Sequence, residues 1–379
     1  MPSAETRARK TRILITNFFN TSNHGEMLSL VTVAELLRGS ITIACPYSII
    51  NETQLPRRVK YAGKSNRSQS SIMYYPQILL NIFYLVREIR RCDAIVDLGG
   101  DTISDSDGMI YTLAHCTSLL LAHMFTKPVI VFPQTIEPFR HWLSKSVTKL
   151  ALNKCLRVFV REPETFHFLR SQGIKVDSVR FDPAFYSSHF LRNSAARNNS
   201  ITIAVNCSKH MYDSGARCYP ELIHTLQKYS APLLYIPHVV GDEHRSDRIL
   251  SLELSRRLGG KLVIADAEKT RELISKLTLF IGQRYHSIIS ALSTCTPTVA
   301  VTNKHKTKSL MKRMGLADYI VDPHDPHFRV QLEHTVNAAL TNREVIRDHL
   351  TQMILQVKND ILGMFEEVNE CIGTLKQLR

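Results

Sequence analysis

Short apolar runs alternate with longer amphipathic segments along almost all of the 379 residues. The runs are rich in Val, Ile and Leu, as in Arg12–Thr16 (RILIT) and Pro128–Phe132 (PVIVF). Strands of a parallel sheet are uniformly apolar in this way, because helices cover both faces of the sheet. The alternation therefore predicts an α/β fold built on parallel sheets.

A polar segment, Tyr186–Ser200, interrupts this alternation near the middle of the chain. The chain is also too long for one ordinary core. We predict two Rossmann-like domains, residues 1–190 and 200–326, facing across a cleft, followed by a helical tail at 327–379. This plan is common to many enzymes and to periplasmic binding proteins, so the fold alone does not give the function.

The stretch Leu279–Lys306 carries the clearest chemical signal. An apolar run ends in a turn at Gly282, and Arg284 and His286 follow at the start of a predicted helix. The next apolar run is followed by Lys306. Open α/β sheets bind ligands at the carboxyl ends of their strands, and helix N-termini attract anions. The pattern predicts a pocket for a small anion with two or three charges.

The formal net charge of +14 has several interpretations. Nucleic-acid binding is one, although no Lys/Arg-rich run, zinc finger or RNA-recognition pattern supports it. Attraction to an anionic membrane or a lipid-linked substrate is a second, and binding of acidic small molecules is a third. An ordinary basic surface would also account for the charge.

The eight cysteines are scattered without a zinc or disulfide pattern, which indicates reduced thiols in a cytosolic protein. The longest apolar stretch, Ile78–Val86, is too short to span a bilayer. We predict a cytoplasmic protein and leave peripheral association with the inner face of a membrane open. The aromatic residues of the predicted helix Ile72–Arg91, namely Tyr74, Tyr75, Phe83 and Tyr84, are expected in the core rather than on a membrane-facing surface.

Three carboxylates, Asp101, Asp105 and Asp107, follow a predicted strand and the pair Gly99-Gly100. The glycines would let the backbone approach a ligand closely. The calcium-binding EF-hand pattern is absent, so we expect no metal there. One aspartate is predicted to act as an acid or base or to position a hydroxyl, while the others cap the next helix.

Several strand-end motifs occur in an order typical of one family. They are Asn20-Thr-Ser-Asn23-His-Gly25-Glu26, Gly99-Gly100-Asp101-Thr-Ile-Ser-Asp105, Pro133-Gln134-Thr-Ile136, Arg161-Glu162, Asp182-Pro-Ala-Phe185, Gly282-Gln-Arg284-Tyr-His286-Ser287 and the later Lys306. Over about residues 12–325 the chain resembles the polysaccharide pyruvyl transferase family. The first three elements depart from the family pattern, and the last elements keep it.

The resemblance implies a fold similar to the GT-B arrangement of glycosyltransferases. It implies phosphoenolpyruvate as the donor and the hydroxyls of a polysaccharide or glycan precursor as the acceptor. The product would carry pyruvate as a ketal, and phosphate would leave. No nucleotide, metal or other cofactor, and no nucleic-acid partner, is expected.

Within this resemblance we predict His286, Arg284 and Asp105 as the catalytic residues. His286 would transfer protons, because imidazole titrates near neutrality, although a packing histidine at a helix start is the alternative. Arg161 could bind the donor, or instead form a structural ion pair with Glu162 or Glu164. The predicted substrate-binding residues are Arg161, Lys306, Asn23, Glu26, Gly99, Gly100, Asp101, Gln134, His238, Gly282 and Ser287.

Some of these predictions have plainer alternatives. Glu26 could simply be a charge in the first turn of a helix, where carboxylates interact well with the dipole. His238 follows a predicted strand and lines a cleft only if that strand end faces one. Two other functions also stay open: a GT-B glycosyltransferase that uses a nucleotide sugar, and a non-catalytic basic binding protein for nucleic acid or anionic lipid.

Overall fold

The computed structural model describes residues 10–45, 50–63, 74–105, 108–186, 201–209, 211, 218–229, 232–240 and 246–377. Almost all of the predicted linker, and Asp107, lie outside these ranges. The chain forms two compact units, and each takes its residues from separate parts of the sequence. The first comprises residues 1–21, 33–180 and 362–379, and the second comprises 22–32 and 181–361.

The first unit contains a parallel sheet with the strand order β3-β2-β1-β4-β5-β6-β7. Its strands are β1 (Arg12–Thr16), β2 (Ser40–Ile43), β3 (Val59–Tyr61), β4 (Ala94–Asp97), β5 (Val129–Gln134), β6 (Arg157–Val160) and β7 (Ser178–Val179). β1, β4, β5 and β6 are buried along nearly their whole length, which explains their uniformly apolar sequences. The direction of the strand order reverses between β1 and β4, and ligands bind at such a reversal in open α/β sheets.

Five helices connect these strands, and a sixth returns from the end of the chain. They are α1 (His24–Leu36), α2 (Tyr74–Arg91), α3 (Met109–Met124), α4 (Trp142–Leu152) and α5 (Pro163–Ser171), followed much later by α12 (Arg343–Gln377). α2 to α5 share one apolar core with the sheet, to which Leu85, Leu119, Ala151 and Leu169 contribute. Helices on the same face of the sheet bury their apolar stripes together.

The last part of α12 belongs to the first unit and is tied to it by several contacts. The ring of Phe365 packs edge-on against Phe132 of β5, with centroids 5.3 Å apart. Asn369 donates to the carbonyl of Leu36 at 3.0 Å and accepts from the backbone of Arg38 at 2.9 Å, so it satisfies backbone groups at the end of α1. The first unit is therefore completed by residues that come after the second unit in the sequence.

The second unit contains a parallel sheet with the order β10-β9-β8-β11-β12-β13. Its strands are β8 (Ile203–Asn206), β9 (Leu233–Tyr235), β10 (Lys261–Leu262), β11 (Leu279–Gly282), β12 (Thr298–Val301) and β13 (Ile320–Val321). Its helices are α6 (Cys218–Gln227), α7 (Arg248–Leu258), α8 (Ala267–Ser275), α9 (Tyr285–Leu292), α10 (His305–Arg313) and α11 (Phe328–Thr341), together with the first parts of α1 and α12. Here the strand order reverses between β8 and β11.

The two sheets confirm the predicted α/β class and Rossmann-like architecture, whereas several local predictions were wrong. The segment 51–71 is polar and basic without periodicity, a pattern that predicts a mobile loop, yet it contains β3, in which only Val59 is buried. The sequence predicts helices that begin near Met27 and Met311, whereas α1 begins at His24 and α10 at His305. Phe83 is exposed although it was expected in the core. In the ranges that the structure describes, no helix has the length and apolarity needed to cross a membrane.

The buried face of α4 also differs from its most apolar face. Trp142 and Leu150 are exposed, whereas the buried residues are Ser144, Thr148, Ala151 and Leu152. Small side chains let α4 pack closely against α3, and the sulfur of Cys116 on α3 approaches the hydroxyl of Thr148 to 3.7 Å. Of the large apolar side chains of α4, Leu152 alone is fully buried.

Candidate functional site

The turn between β11 and α9 is built so that Arg284 and His286 lie at the start of a helix. A Cβ atom added at Gly282 would lie 2.7 Å from Cγ1 of Ile288, so only glycine fits at the end of β11. The hydroxyl of Ser287 is buried and donates to the carbonyl of Arg284 at 2.8 Å. Gly282 and Ser287 thus shape the turn, and their predicted role in substrate binding stays a prediction.

Arg284 is held in position by Asp247. Its Nη2 donates to Oδ1 of Asp247 at 2.6 Å, and its Nε lies 3.2 Å from both carboxylate oxygens. The Asp247 side chain is fully buried, and it also accepts from the backbone of Lys209 at 3.1 Å and Val239 at 3.3 Å. The Arg284 side chain keeps 25% of its surface exposed. The carboxylate therefore fixes the plane of a guanidinium that still reaches the surface.

Sequence reasoning missed Asp247. An aspartate directly before a helix normally caps it, and Asp247 precedes Arg248, the first residue of α7. Its side chain makes no capping hydrogen bond and instead turns to Arg284. The local sequence gives no sign of this, because the partner lies 37 residues away and is brought near by the sheet.

His286 faces Asp182, the first residue of the D-P-A-F element. Nε2 of His286 lies 3.6 Å from Oδ2 of Asp182, which is long for a hydrogen bond. Oδ1 of Asp182 accepts from the hydroxyl of Ser29 at 3.1 Å and from the backbone of Ala184 at 2.9 Å. Asp182 is thereby fixed, and it presents its second oxygen to the imidazole.

Residues 23–26 of the first motif lie in the segment 22–32 and are close to the same histidine. Asn23 forms an isolated antiparallel bridge with Val239, and the backbone of His24 donates to the carbonyl of His238 at 3.1 Å. A Cβ atom added at Gly25 would lie only 1.9 Å from Cγ of His286. Gly25 is therefore required because the backbone of α1 lies directly on the imidazole.

His24 and His238 form a buried pair beside this contact. Their ring centroids are 5.3 Å apart at an angle of 62°. Burial, opposed by the charges of Asp266 and Asp247, lowers the pKa of His24 to about 4. Burial also lowers the pKa of His238 well below its usual value, and the neighbouring His24, His286, Arg284 and Arg271 lower it further. Both rings are therefore neutral at physiological pH.

The imidazole of His238 has an unusual environment. Its side chain is almost completely buried, yet neither ring nitrogen has a hydrogen-bond partner among the residues that the structure describes. Nδ1 of His24 is in the same situation. Buried polar groups are nearly always paired, so each unpaired one needs an explanation, and a catalytic role is one such explanation. His238 has His286 and Arg284 among its charged neighbours, and its predicted role in substrate binding stays a prediction.

Asn23 and Glu26 form the start of α1. Oδ1 of Asn23 accepts from the backbone of Gly25 at 3.1 Å, and its Nδ2 donates to Oε1 of Glu26 at 2.9 Å. This arrangement resembles a capping box, which explains why α1 begins three residues earlier than predicted. Glu26 remains half-buried beside the Gly25–His286 contact.

Lys306 lies in the first turn of α10. Its Nζ is 5.9 Å from the ring centroid of Tyr285, the residue between Arg284 and His286. The second unit thus groups eight residues that are charged or lie beside charged groups. They are Asn23, His24, Gly25, Glu26, His238, Arg284, His286 and Lys306. Of these, sequence reasoning had not selected His24 or Gly25 as site residues.

A second polar cluster lies in the first unit at the ends of β1, β4 and β5, and Gln134 is the predicted site residue within it. Asp97 is fully buried and accepts from Gln134 at 3.1 Å and Asn17 at 2.6 Å, and it lies 2.9 Å from Nε2 of His115. Thr102 lies 2.6 Å from Nδ1 of His115. Both ring nitrogens of His115 are therefore bound within this network. Gln134 is buried within this network.

The two glycines of the second motif have different structural reasons. A Cβ atom at Gly99 would lie 2.1 Å from Cε1 of His115, so this close approach is to the protein itself. Gly100 has a φ of +66°, a conformation that glycine adopts without strain. Asp101, the next residue, is exposed.

Arg161 is buried and bound to the loops around it. Its Nη2 donates to the carbonyl of Gly100 at 3.1 Å and to the hydroxyl of Thr135 at 2.6 Å. Its Nε lies 3.7 Å from Glu162, whose carboxylate also accepts from Thr135 at 2.7 Å. The structural ion pair considered as an alternative is therefore present, and donor binding by Arg161 stays a prediction.

Asp105 is buried and bound to backbone groups. Its carboxylate accepts from the backbone of Arg140 at 2.9 Å and of His141 at 2.8 Å. Burial alone would raise the pKa of Asp105, but the hydrogen bonds from these two backbone groups outweigh it and lower the pKa. A carboxylate in this state is well suited to hold the segment that leads into α4. Its predicted role as an acid or base stays a prediction.

No group of three or more His, Cys, Asp and Glu is arranged to hold a metal ion within the described ranges. What the structure offers instead is a set of cationic and neutral donors. Arg284, Lys306 and the first turn of α9 suit an anion, and His286 suits proton transfer beside it.

Comparison with solved structures defines the fold class. A UDP-glucosyltransferase from Polygonum tinctorium superimposes with a TM-score of 0.60, at 14% identity, covering 97% of this chain and 100% of that one. The UDP-GlcNAc 2-epimerase of Neisseria meningitidis gives 0.60 at 13% identity, covering 95% and 100%. Anabaena Alr3699/HepE in complex with UDP-glucose gives 0.57 at 13% identity, covering 97% and 100%. The chain therefore has the GT-B fold of such glycosyltransferases and epimerases.

Sequence comparison gives the family. A profile of the polysaccharide pyruvyl transferase family matches residues 23–305, so the chain belongs to that family and is a transferase. The amylovoran biosynthesis protein AmsJ of Erwinia amylovora is 23% identical over 307 residues, covering 73% of this chain and 72% of AmsJ. The predicted family and fold are thus confirmed, and a role in pyruvyl transfer during polysaccharide biosynthesis follows.

Proposed function

We propose that this protein transfers the pyruvyl group of phosphoenolpyruvate to two hydroxyls of a glycan or glycan precursor. The product is a cyclic pyruvate ketal, and inorganic phosphate is released. The observation that carries the proposal is the cluster at the start of α9, where Arg284 lies close to His286 and the neutral pair His24–His238. All of these residues lie within the segment matched by the family profile.

Donor binding is assigned to Arg284 and Lys306. Phosphoenolpyruvate has a carboxylate and a phosphate, and a planar guanidinium binds either group through two parallel hydrogen bonds. Asp247 holds Arg284 in one orientation, which reduces the entropy lost when the ligand binds. Lys306, beside Tyr285, supplies a second cation, and the N-terminus of α9 adds favourable potential.

Proton transfer is assigned to His286. A proton added to the methylene carbon of the donor makes a methyl group and leaves a cation at the adjacent carbon, which the first hydroxyl attacks with loss of its proton. The carbon–oxygen bond to phosphate then breaks, and phosphate leaves with the bonding electrons. The second hydroxyl adds and loses its proton. The two hydroxyls release two protons in all. One of them replaces the proton that was added to the methylene carbon, and the other goes to phosphate.

A carboxylate must accept protons from the hydroxyls, and Glu26 is assigned this role. It lies in the same unit as His286, next to Gly25, and Asn23 holds it through the 2.9 Å hydrogen bond. Asp105 is less suited, because backbone donors occupy its carboxylate. The neutral His238 would donate a hydrogen bond to the donor or acceptor, and so complete the pairing that its buried ring lacks.

We further propose that the reaction needs neither a nucleotide nor a metal ion and takes place in the cytoplasm. The chemistry above requires only proton transfer and stabilisation of negative charge, which side chains can provide. Turnover that persists in the presence of a strong metal chelator is the expected result. Loss of turnover in chelator, restored by one divalent cation, would contradict it.

The decisive experiment combines the protein with phosphoenolpyruvate and a panel of sugars and lipid-linked sugars and measures phosphate release. Mass spectrometry of the acceptor should show the added pyruvate ketal. Arg284→Ala and His286→Gln should each lower turnover by about a hundredfold or more, as losses of charge stabilisation and proton transfer do. The matched controls are Arg256→Ala and His334→Gln, which change exposed residues of the same unit and should leave turnover unchanged.

The same panel separates the alternative functions. Phosphate release without acceptor modification, or no thermal stabilisation by phosphoenolpyruvate, would contradict the proposal. UDP-glucose serves as the competing donor, because Alr3699/HepE of the same fold was solved with it. Transfer of glucose from UDP-glucose would establish a nucleotide-sugar glycosyltransferase instead.

A further inference from the structure

One surface of the first unit carries a group of exposed apolar side chains. Seven of the thirteen large apolar side chains that are exposed in the described ranges lie on α2, α3 and α4. Leu79, Phe83, Ile110 and Trp142 are 69%, 63%, 72% and 78% exposed. Single exposed apolar residues are ordinary, whereas groups of them mark interaction surfaces.

Five of these residues lie on three neighbouring helices, and three of the five are at helix starts. α3 packs against both α2 and α4. Ile110 and Tyr111 lie in the first turn of α3 and Trp142 is the first residue of α4, so all three are near the carboxyl edge of the sheet. α2 starts from the same edge, and Leu79 and Phe83 are the sixth and tenth of its 18 residues, four apart on one helix face. We call these five residues the apolar rim.

The charges on the same three helices have one predominant sign. α2, α3 and α4 carry five basic residues, Arg87, Arg90, Arg91, Lys145 and Lys149, and one acidic residue, Glu88. Glu88 is paired with Arg87 at 2.9 Å and with Arg91 at 3.6 Å. α3 has no charged residue other than its histidines. Arg90 and Arg91 lie in the last turn of α2, away from the apolar rim. Arg87 follows Phe83 by four residues and Lys145 follows Trp142 by three, so these two cations lie about one helical turn from rim residues.

We infer that this face of the first unit docks on an anionic lipid bilayer. Apolar and aromatic side chains flanked by Lys and Arg are the composition of proteins that bind in the interface of membranes. The rings of Phe83 and Trp142 would enter the headgroup region, while the basic residues meet lipid phosphates. Leu79 and Ile110 favour lipid over a glycan chain, since aliphatic side chains offer sugars no stacking face. The inference is independent of the proposed reaction.

Trp142 is itself the probe, because it is the only tryptophan in the chain. The purified protein is titrated with vesicles of phosphatidylcholine, and separately with vesicles that also contain phosphatidylglycerol. With the anionic vesicles we expect a blue shift of the tryptophan emission and quenching by lipids brominated in their acyl chains. Added salt should weaken binding, because the charged component is screened.

Variants that keep Trp142 test the rest of the surface. Leu79→Ser with Phe83→Ser should weaken binding to anionic vesicles by about tenfold or more, given the apolar area that would be lost. The matched control is Val330→Ser with Val345→Ser, which changes two side chains of the second unit that are 68% and 70% exposed. The control should bind as the unaltered protein does.

Three results would each overturn the inference. They are unchanged tryptophan emission with anionic vesicles, equal weakening in the control variant, and a blue shift produced by a soluble acidic polysaccharide but not by vesicles. The last would assign the surface to a glycan instead. Circular dichroism of each variant checks that the fold is retained, and exposed serines are expected to retain it.

Discussion

The buried pair His24–His238 makes the protein sensitive to mild acid, and this sensitivity can be calculated for His24. In the folded protein burial lowers the pKa of His24 to about 4, while the unfolded chain has the ordinary value of 6.5. Between these two values the unfolded chain binds a proton at His24 that the folded chain does not. Stability that is fully present above pH 6.5 is therefore lost as the pH falls toward 4.

The expected size of the loss is set by the two pKa values. The full difference corresponds to about 3 kcal/mol, and about 2 kcal/mol of it is lost already at pH 5. The pKa of His238 is lowered in the same direction and adds to the effect. A loss of this size is a large fraction of the stability of an ordinary domain.

The perturbation that isolates His24 is its replacement by asparagine. Urea unfolding followed by far-ultraviolet circular dichroism at pH 7 and pH 5 gives the change in unfolding free energy with pH. For His24→Asn this change should be smaller than for the unaltered protein by about 2 kcal/mol. The control is His334→Asn, an exposed histidine of the same unit, which should leave the change as it is. Equal changes in the unaltered protein and in His24→Asn would refute the reasoning.

Three further perturbations test other parts of the site. Gly25→Ala should lower stability by about 1–3 kcal/mol and abolish turnover, because its Cβ overlaps His286, and a second change of His286 to glycine should restore most of the stability. Asp247→Asn should raise the phosphoenolpyruvate concentration needed for thermal stabilisation about tenfold, because Arg284 loses its charged partner. A thermal-shift titration equal to that of the unaltered protein would contradict this. Asp105→Asn should lower the unfolding free energy by about 1–2 kcal/mol in urea, because weaker acceptors replace the carboxylate, and full stability would exclude the structural role.

The strands and most helices could be predicted because their buried positions carry apolar residues. The turn from β11 to α9 is the clearest case, since glycine, cations and a helical period follow each other directly. β3 escaped prediction because it is three residues long and buries one side chain, which leaves no periodic signal. The early start of α1 depends on the hydrogen bonds of Asn23, which a periodicity of apolar residues does not register.

The residues of the candidate site likewise include some that the sequence indicates and others that it does not. Arg284 and His286 were selected from the sequence because charged residues directly after a buried strand have few structural reasons to be there. Asp247 could not be selected as the partner of Arg284, because its sequence context is that of a helix cap. Asp105 illustrates the opposite error. A carboxylate in a loop is predicted to be available for catalysis, but the sequence does not show that the backbone groups of Arg140 and His141 donate to it.

The return of α12 to the first unit has a consequence for how the protein is made. Residues 181–361 are synthesised between the last strand of the first unit and the helix segment that completes it. At about 5–20 residues per second this interval lasts roughly 10–40 s. Until then Phe132 lacks the ring of Phe365, and the end of α1 lacks Asn369. Most of the first unit is thus synthesised before the second, but the first unit is completed after it. During that interval the face of its sheet around Phe132 stays uncovered by α12.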